Sequence, residues 1–408
     1  MKLQTQRWID RWLGQLLCAL VSLWARWLAP RAPQLPDSPH HILVILLSEM
    51  GSVVLAGPMF AALRQRYPGA MLHVLQLKKN QEVALLLGLA QPEHLHALDD
   101  SAGLTLLGDI WRVSRTLRQL PLDAVIDCEL FSRISALMSY LSGAPVRVGF
   151  TAHTQEGLYR GSFINRAIAY NPYQHISKQF LSLVDALDSR SMPRNKAAAR
   201  REVPTDAELT VSFTANELSS YRHQVLSDFP RLGGRKVVLL YAGGGILPER
   251  AWPATHYAQL ARGLCDAGHG VALIGLRDDA ALATSLQQQT GSELCVNLTG
   301  YTRNIRELLM LCHNADLLIT NDGGPGHFAS LTPIRTLVFF GPETGRLYGP
   351  LGSRSKVLES GLACSPCLSA YNHRETFCDG DNQCLKRIPA EPVLAEALAI
   401  LGTAGGAT

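Results

Sequence analysis

Short apolar runs and helix-like segments alternate along most of this chain. Runs of the length expected for buried strands occur in the first half at residues 42–47, 71–77, 124–128 and 146–149. Segments with apolar residues at helical spacing lie between them, such as 56–66 and 109–119. The same alternation returns at 236–241, 271–274, 317–320 and 336–340. Alternation of this kind predicts parallel sheets covered by helices on both faces, so the predicted fold class is α/β.

A polar, basic stretch at residues 189–204 separates the two halves. We therefore predict four segments along the chain. They are an N-terminal helix with a proline-rich spacer (1–40), a first Rossmann-like domain (41–195), a connection (196–235) and a second Rossmann-like domain (236–408). Two such domains predict a ligand site in the cleft between them, at the carboxyl ends of the strands.

The first 30 residues contain an uncharged core, residues 13–25, that is shorter than the roughly 20 residues of a membrane-spanning helix. Aromatic and basic side chains flank it: Arg7, Trp8, Arg11, Trp12, Trp24, Arg26 and Trp27. This pattern is typical of a helix lying in the headgroup region of an anionic membrane. The alternatives are a helix packed on the protein body or on a partner, and a signal peptide, which the poor cleavage site disfavours.

The net charge of +4 arises within the first 31 residues, where five basic residues outweigh Asp10. The rest of the chain is neutral overall, which argues against a nucleic-acid partner. Five cysteines stand singly in apolar contexts: Cys18, Cys128, Cys265, Cys295 and Cys312. We expect buried free thiols there and hence a reducing compartment. Together with the N-terminal helix, this predicts a cytoplasmic protein held peripherally on the inner membrane.

The strand at 236–241 runs into three glycines, Gly243, Gly244 and Gly245. Glycines let backbone amides approach a ligand closely. Arg250 follows five residues later, and a guanidinium beside such a turn suits a diphosphate. A plain turn is the alternative.

A second glycine turn lies in "LLITNDGGPGHFASL", residues 317–331. Amide groups at the start of the following helix attract phosphate oxygens. His327 can donate a further hydrogen bond, and Asp322 can fix the turn or accept from a ribose hydroxyl. The alternative is a capping aspartate beside a surface histidine.

Three stretches resemble one protein family. They are "LSEMGSVVLAGPMFAALRQRYPGA" (47–70), "NLTGYTRNIRELLMLCHNADLLITNDGGPGHFASL" (297–331) and "VFFGPETGRLYGP" (338–350). Over residues 41–400 the chain resembles glycosyltransferase family 9, the ADP-heptose:lipopolysaccharide heptosyltransferases. The resemblance implies the GT-B architecture, with two Rossmann-like domains facing a central cleft. It also implies an inverting transfer without a required metal, with the sugar acceptor bound by the N-terminal half and the nucleotide sugar by the C-terminal half.

The resemblance also implies roles for individual residues. Asp322, Gly323, Gly324 and His327 would hold the diphosphate and adjoining sugar of the donor. Arg250 stands where the family usually has a lysine and would keep a positive charge near the diphosphate. Asp278, with its neighbour Asp279, falls near the position of the family's ribose-binding carboxylate.

The first turn departs from the family at the general base, where Ser52 replaces the expected aspartate. Ser48, Gly51 and Ser52 are predicted to lie on the side of the sugar acceptor. An inverting transfer needs a group that takes a proton from the attacking hydroxyl, and Glu49 is our predicted base. Alternatively, Glu49 caps the helix or pairs with a basic neighbour. His153 and His175 are weaker candidates for the base.

Four further cysteines lie within residues 364–384: Cys364, Cys367, Cys378 and Cys384. Their thiolates predict a structural zinc site, because C-x2-C is a common zinc half-site. An iron–sulfur cluster and disulfides are the alternatives. No cofactor is expected for catalysis itself.

These features predict a membrane-associated glycosyltransferase. It would move a sugar, expected to be heptose, from a nucleotide sugar such as ADP-heptose to a lipopolysaccharide-type or other lipid-linked glycan. The alternatives are a non-catalytic nucleotide-sugar-binding scaffold at the membrane, and a GT-B-fold epimerase or hydrolase.

Overall fold

The computed structural model describes residues 3–28, 34–150, 159–189, 210–245, 247–369, 376 and 378–403. The chain divides into two compact units, Met1–Val203 and Pro204–Thr408. Each unit contains its own parallel sheet, so each can be described by itself.

The first unit is built on six described strands: β1 (His41–Leu46), β2 (Met71–Leu77), β3 (Leu95–Leu98), β4 (Ala124–Asp127), β5 (Val146–Phe150) and β6 (Arg166–Ile168). Its described helices are α1 (Leu3–Leu28), α2 (Met50–Leu55), α3 (Gly57–Arg66), α4 (Gln81–Leu86), α5 (Gly103–Gln119), α6 (Arg133–Leu141) and α7 (Ile176–Ala186). The strands pair in parallel in the order β3-β2-β1-β4-β5-β6. The residues from Ile42 to Leu46 are all buried, as expected for a central strand covered on both faces.

The second unit repeats this plan. Its strands are β7 (Val237–Tyr241), β8 (Gly270–Leu273), β9 (Cys295–Asn297), β10 (Leu317–Asn321), β11 (Arg335–Phe339) and β12 (Ser355–Leu358). Its helices are α8 (Ala215–Asp228), α9 (Ala254–Asp266), α10 (Ala280–Thr290), α11 (Ile305–His313), α12 (Gly324–Ala329), α13 (Gly345–Tyr348), α14 (Gln383–Lys386) and α15 (Ala390–Thr403). The strand order, β12-β11-β10-β7-β8-β9, is equivalent to that of the first unit. Both orders are those of a Rossmann sheet, which confirms the predicted α/β class.

The eight predicted strands are present with ends shifted by at most one residue. The sequence did not predict four strands, β3, β6, β9 and β12. They have three or four residues each and form the ends of the two sheets. The predicted helix at 56–66 is preceded by α2. Residues 210–235 lie in the predicted connection, but Tyr221 and Val225 of α8 join a hydrophobic cluster of the second unit with Leu239 and Leu311.

The predicted N-terminal helix is present as α1, and one of its faces packs on the first unit. Cys18 and Ala25 lie in a cluster with Ala136, Phe163 and Ile164. Asp10 Oδ1 accepts hydrogen bonds from the amides of Arg133 (2.8 Å) and Ile134 (3.1 Å), which lie in the first turn of α6. An acidic side chain of α1 therefore caps α6.

The other face of α1 is exposed, and we call it the outer stripe. It consists of Trp12, Leu13, Leu16, Leu17, Leu20, Leu23, Trp24 and Trp27. The side chains of Arg7, Trp8 and Arg11 lie outside the described residues. Among the helices that the structure describes, none has the length and apolar character needed to cross a membrane. One face of α1 therefore packs on the protein body, which is one of the alternatives given above. The outer stripe does not take part in this packing and is exposed.

Candidate functional site

In each sheet, the strand order changes direction between the first and fourth strands of that unit. These pairs are β1 and β4 in the first unit, and β7 and β10 in the second. Open α/β sheets bind ligands at this switch point, beside the carboxyl ends of the strands. The predicted turns with Ser48, Gly243 and Asp322 follow β1, β7 and β10, so each of these turns lies at the switch point of its own unit.

Asn321, the last residue of β10, organises the switch point of the second unit. Its Nδ2 donates hydrogen bonds to the carbonyl oxygens of Ala242 (3.1 Å) and Gly243 (2.9 Å). Its Oδ1 accepts from the Trp252 amide (2.9 Å) and from the Tyr257 hydroxyl (3.1 Å). The amide side chain is fully buried and makes four hydrogen bonds, which stabilise the glycine turn after β7. The sequence did not predict this role.

The glycine turn itself has little room for side chains. A Cβ added at Gly244 would lie 2.8 Å from the Pro248 Cα, and one added at Gly243 would lie 2.8 Å from an Asp279 oxygen. Gly245 has a φ of +62°, a left-handed conformation that favours glycine. The turn is therefore built for glycine at all three predicted positions.

Asp279 is the carboxylate that lies at this turn. Its Oδ2 accepts a hydrogen bond from the Leu276 amide at 2.8 Å, and its other oxygen approaches Gly243. Asp278, the residue predicted near the donor ribose, is exposed. The structure thus brings the second residue of the acidic pair to the glycine turn.

Arg250 lies in a buried cluster of three charged side chains. Its Nε is 3.3 Å from Asp322 Oδ2, and its Nη2 is 2.9 Å from Glu343 Oε2. All three residues are less than 10% exposed. One guanidinium therefore faces two carboxylates, and the positive charge expected for the diphosphate is largely neutralised by the protein itself. Glu343 was not predicted, although it lies within the "VFFGPETGRLYGP" motif.

His327 lies in α12, directly after the Asp322 turn, and is buried. Gly323 precedes the helix, and Gly324 and Pro325 are its first residues. Pro325 has no N–H, so part of the expected amide array is absent at this short helix. Asp322, Gly323, Gly324 and His327 thus follow β10 directly, and the ion pair with Asp322 places Arg250 beside them.

The switch point of the first unit contains a carboxylate that the sequence did not predict, Glu129. It follows β4 and reaches the turn after β1. Its Oε1 accepts hydrogen bonds from the amides of Leu47 (2.7 Å) and Ser48 (2.8 Å). The Ser48 hydroxyl lies 2.8 Å from both carboxylate oxygens. The two acidic residues in "AVIDCE" at the end of a buried strand were the available sequence signal.

The environment of Glu129 changes its acidity. Burial raises the pKa of the Glu129 carboxyl, and the negative charge of Asp127 acts in the same direction. The hydrogen bond from Ser48 opposes this shift. Asp127 is itself fully buried and forms an ion pair with Arg160. A carboxyl group with a raised pKa at a ligand-binding edge is suited to proton transfer.

Glu49, the predicted base, is the exposed N-cap residue of α2. Its side chain makes no capping hydrogen bond, so the alternative that Glu49 caps this helix is not observed. Ser52 is partly exposed in the first turn of α2, and Gly51 is buried. His175 accepts the Ser177 amide at 3.3 Å as the cap of α7. His153 lies outside the described residues.

The predicted zinc site is not supported. Cys364, Cys367, Cys378 and Cys384 are not joined in disulfides. Within the described ranges, no group of three or more His, Cys, Asp or Glu side chains is placed to hold a metal ion. Burial raises the pKa of the Cys384 thiol, and the nearby thiols act in the same direction. The single cysteines Cys18, Cys128, Cys265, Cys295 and Cys312 are buried free thiols, as predicted.

Comparisons with known proteins identify the family and agree with the two-sheet fold. The model of "Glycosyltransferase family 9 (heptosyltransferase)" matches residues 110–377. Lipopolysaccharide heptosyltransferase 2 of Salmonella typhimurium is 24% identical over 373 residues, which cover 89% of this chain and 99% of that protein.

Two solved structures share the fold. The E. coli ADP-heptose lps heptosyltransferase II has a TM-score of 0.69 at 21% identity, covering 90% of this chain and 100% of its own. The structure of E. coli heptosyltransferase WaaC with ADP has a TM-score of 0.62 at 16% identity. The match covers 88% of this chain and 99% of that chain. The predicted architecture and family are confirmed: this chain is a glycosyltransferase that belongs to family 9, the heptosyltransferases.

Proposed function

We propose that this protein transfers heptose from ADP-heptose to a lipopolysaccharide-type acceptor, with inversion at the anomeric carbon and without a required metal. The observation that carries the proposal is the arrangement of Arg250, Asp322 and His327 around the turn that follows β10. The names of the relatives supply the sugar and the acceptor, and the family resemblance supplies the inversion and the metal independence.

The second unit would bind the nucleotide sugar at its switch point. The amides of the two glycine turns would face the diphosphate, as backbone donors commonly do for phosphate groups. His327 would add one donor from α12. Because Arg250 is paired with Asp322 and Glu343, we assign it mainly to shaping the turn, with the backbone amides taking the larger share of the developing negative charge.

The first unit would bind the sugar acceptor at the turn that contains Ser48, Gly51 and Ser52. A single displacement requires that the attacking hydroxyl lose its proton. Glu49 is the base predicted from the sequence, and its exposed side chain is accessible to a ligand. Glu129 is a second carboxylate at the same turn, and the next section treats its role.

The outer stripe of α1 would hold the protein on the cytoplasmic face of the inner membrane. Trp24 is 64% exposed and Trp27 is 89% exposed, and the basic Arg26 lies between them. Indole rings and basic side chains at one surface of a helix favour an anionic lipid interface. A lipid-linked acceptor would be presented at that surface.

The test uses the purified protein with heptose-deficient lipopolysaccharide. ADP-heptose and, as a control, UDP-sugars are titrated for binding, and ADP release is then measured with and without the acceptor. We expect ADP release that depends on the acceptor. The His327→Ala variant should bind ADP-heptose more weakly, whereas replacement of an exposed histidine of the same unit, His223→Ala, should not.

Two other outcomes would contradict the proposal. ADP-heptose consumption that does not need the acceptor would indicate a hydrolase or an epimerase. Firm binding without any turnover would indicate a nucleotide-sugar-binding scaffold.

A further inference from the structure

We propose that Glu129, acting through Ser48, is the positioning residue that finally receives the proton of the acceptor hydroxyl. This inference rests on the proposed glycosyl transfer and assigns a route for its proton. It replaces Glu49 in that role with a carboxylate that comes from the neighbouring strand. Ser48 is then the residue that contacts the reacting hydroxyl.

The geometry fixes the carboxylate of Glu129 relative to Ser48. Two backbone amides, those of Leu47 and Ser48, donate to Oε1 at 2.7 and 2.8 Å. The Ser48 Oγ lies 2.8 Å from each carboxylate oxygen and has a single proton to donate. The lone pairs of that oxygen can accept a hydrogen bond from a ligand hydroxyl while its own proton points to Glu129.

Hydrogen bonds from buried residues also fix the backbone of Ser48 and Glu129. Asn80, which is fully buried, donates to the Ser48 carbonyl oxygen at 2.6 Å. The Glu129 amide donates to Asp127 Oδ1 at 3.1 Å, and the buried Arg160 donates to the Glu129 carbonyl oxygen. This support is what a proton-transfer pair requires, since small displacements lower the rate of transfer.

The chemistry balances without any further reactant. The acceptor oxygen forms a bond to the anomeric carbon as the bond between that carbon and the diphosphate oxygen breaks. The electron pair of the broken bond leaves with ADP. The acceptor proton passes to Ser48 Oγ while the Ser48 proton passes to Glu129, so the serine is restored and the glutamate ends protonated.

The raised pKa of Glu129 is consistent with this role, because a base is most effective when its pKa approaches the working pH. The family aspartate is replaced by Ser52 in the same turn, which leaves a need for another carboxylate. Glu129 approaches this turn from β4, next to β1 in the sheet. Glu49 faces solvent at the start of α2.

The experiment compares Glu129→Gln with Glu49→Gln in the full chain, using ADP-heptose and heptose-deficient lipopolysaccharide. The measured quantities are kcat, KM, the dependence of kcat/KM on pH, the Kd of ADP-heptose and Tm. We expect Glu129→Gln to lose roughly 10²- to 10⁴-fold in kcat with an unchanged donor Kd. Its kcat/KM should also lose the acidic limb of the pH profile, which Glu49→Gln should keep. The control is Glu93→Gln, at an exposed glutamate of the same unit, which should keep both the limb and the rate within about threefold.

Two further variants keep the test decisive if Glu129→Gln folds poorly. Ser48→Ala retains the carboxylate and its two backbone donors but removes the relay oxygen, so its kcat should fall by at least about tenfold at wild-type Tm. Glu129→Asp retains a titrating group, so part of the rate and a shifted acidic limb should return.

The outcomes separate the two proposals. An active wild type whose Glu129→Gln variant keeps its rate and acidic limb would overturn the role of Glu129 alone. Loss of that limb in Glu49→Gln would assign the proton to Glu49 instead. A wild type that shows no acceptor-dependent ADP release would contradict the proposed function itself.

Discussion

The Asn321 side chain donates a hydrogen bond to the carbonyl oxygen of Gly243 over 2.9 Å, so the end of β10 directly holds the turn that follows β7. These residues are 78 positions apart in the chain. The two glycine turns of the second unit are therefore one structural assembly. A change at Asn321 should affect the glycine turn after β7 as well as its own turn.

Asn321→Ala should lower the free energy of unfolding by about 2–4 kcal/mol, because it leaves several buried donors and acceptors without their partner. The donor Kd should rise as well, since the glycine turn loses its support. Urea unfolding and titration with ADP-heptose measure the two effects. Asn216→Ala, at an exposed position of α8, is the control and should change neither. Equal stability of the two variants would contradict the structural role of Asn321.

Arg250→Met should lower the free energy of unfolding by about 3–5 kcal/mol, because it leaves Asp322 and Glu343 as buried carboxylates without their shared cation. Arg250→Lys keeps the charge but not the planar fork, so it should restore part of the loss. Urea denaturation of the wild type and the two variants measures the order of stability, which should be wild type, then Arg250→Lys, then Arg250→Met. If Arg250→Met also carries Asp322→Asn and Glu343→Gln, the loss should become smaller. A Met variant as stable as the wild type would show that the cluster does not stabilise the fold.

Stability should fall as the pH is lowered from about 6.5 to about 4, because burial lowers the pKa of His73 to about 4. His41, His94 and His96 surround that side chain, and protonated neighbours would disfavour its charged form further. Within this pH range the unfolded chain binds a proton at His73 that the native protein does not, so protonation favours unfolding. The contribution is at most roughly 3 kcal/mol.

Urea unfolding across this pH range tests the effect in the wild type and in His73→Phe. The variant should show a weaker dependence on pH below 6.5, even if its stability at pH 7.5 differs. The exposed His223→Ala serves as the control and should follow the wild type. An unchanged pH dependence in His73→Phe would mean that other groups cause the acid instability.

The outer stripe of α1 should bind anionic vesicles. Leu20→Ser combined with Leu23→Ser should weaken sedimentation with such vesicles by roughly tenfold, since each side chain is more than half exposed and contributes apolar area to the lipid. Leu276→Ser, at a residue 73% exposed in the second unit, is the matched control. Vesicle binding that survives the double change, or that Leu276→Ser reduces equally, would contradict the interfacial helix.

The sequence predicted the central strands because their apolar runs are uninterrupted, as in 42–47 and 317–320. The strands β3, β6, β9 and β12 were missed because a polar or charged residue leaves each of them with at most two consecutive apolar residues, so no apolar run marks them. The turns that carry Ser48, Gly243 and Asp322 were found because glycine and polar residues directly follow an apolar run. Glu129 and Glu343 were missed for a different reason. Each reaches its partner from another strand end, and the pairing of strands is not visible in one sequence.

The cap that Asp10 provides for α6 has a practical consequence for protein production. A truncation that removes α1 to improve handling would leave the amides of Arg133 and Ile134 without their acceptor and uncover the cluster around Phe163. Helix α6 begins four residues after Glu129. We therefore expect a shortened protein to show low turnover even where it expresses well. That low turnover would result from the lost contacts of α1 and would not measure the activity of the full chain.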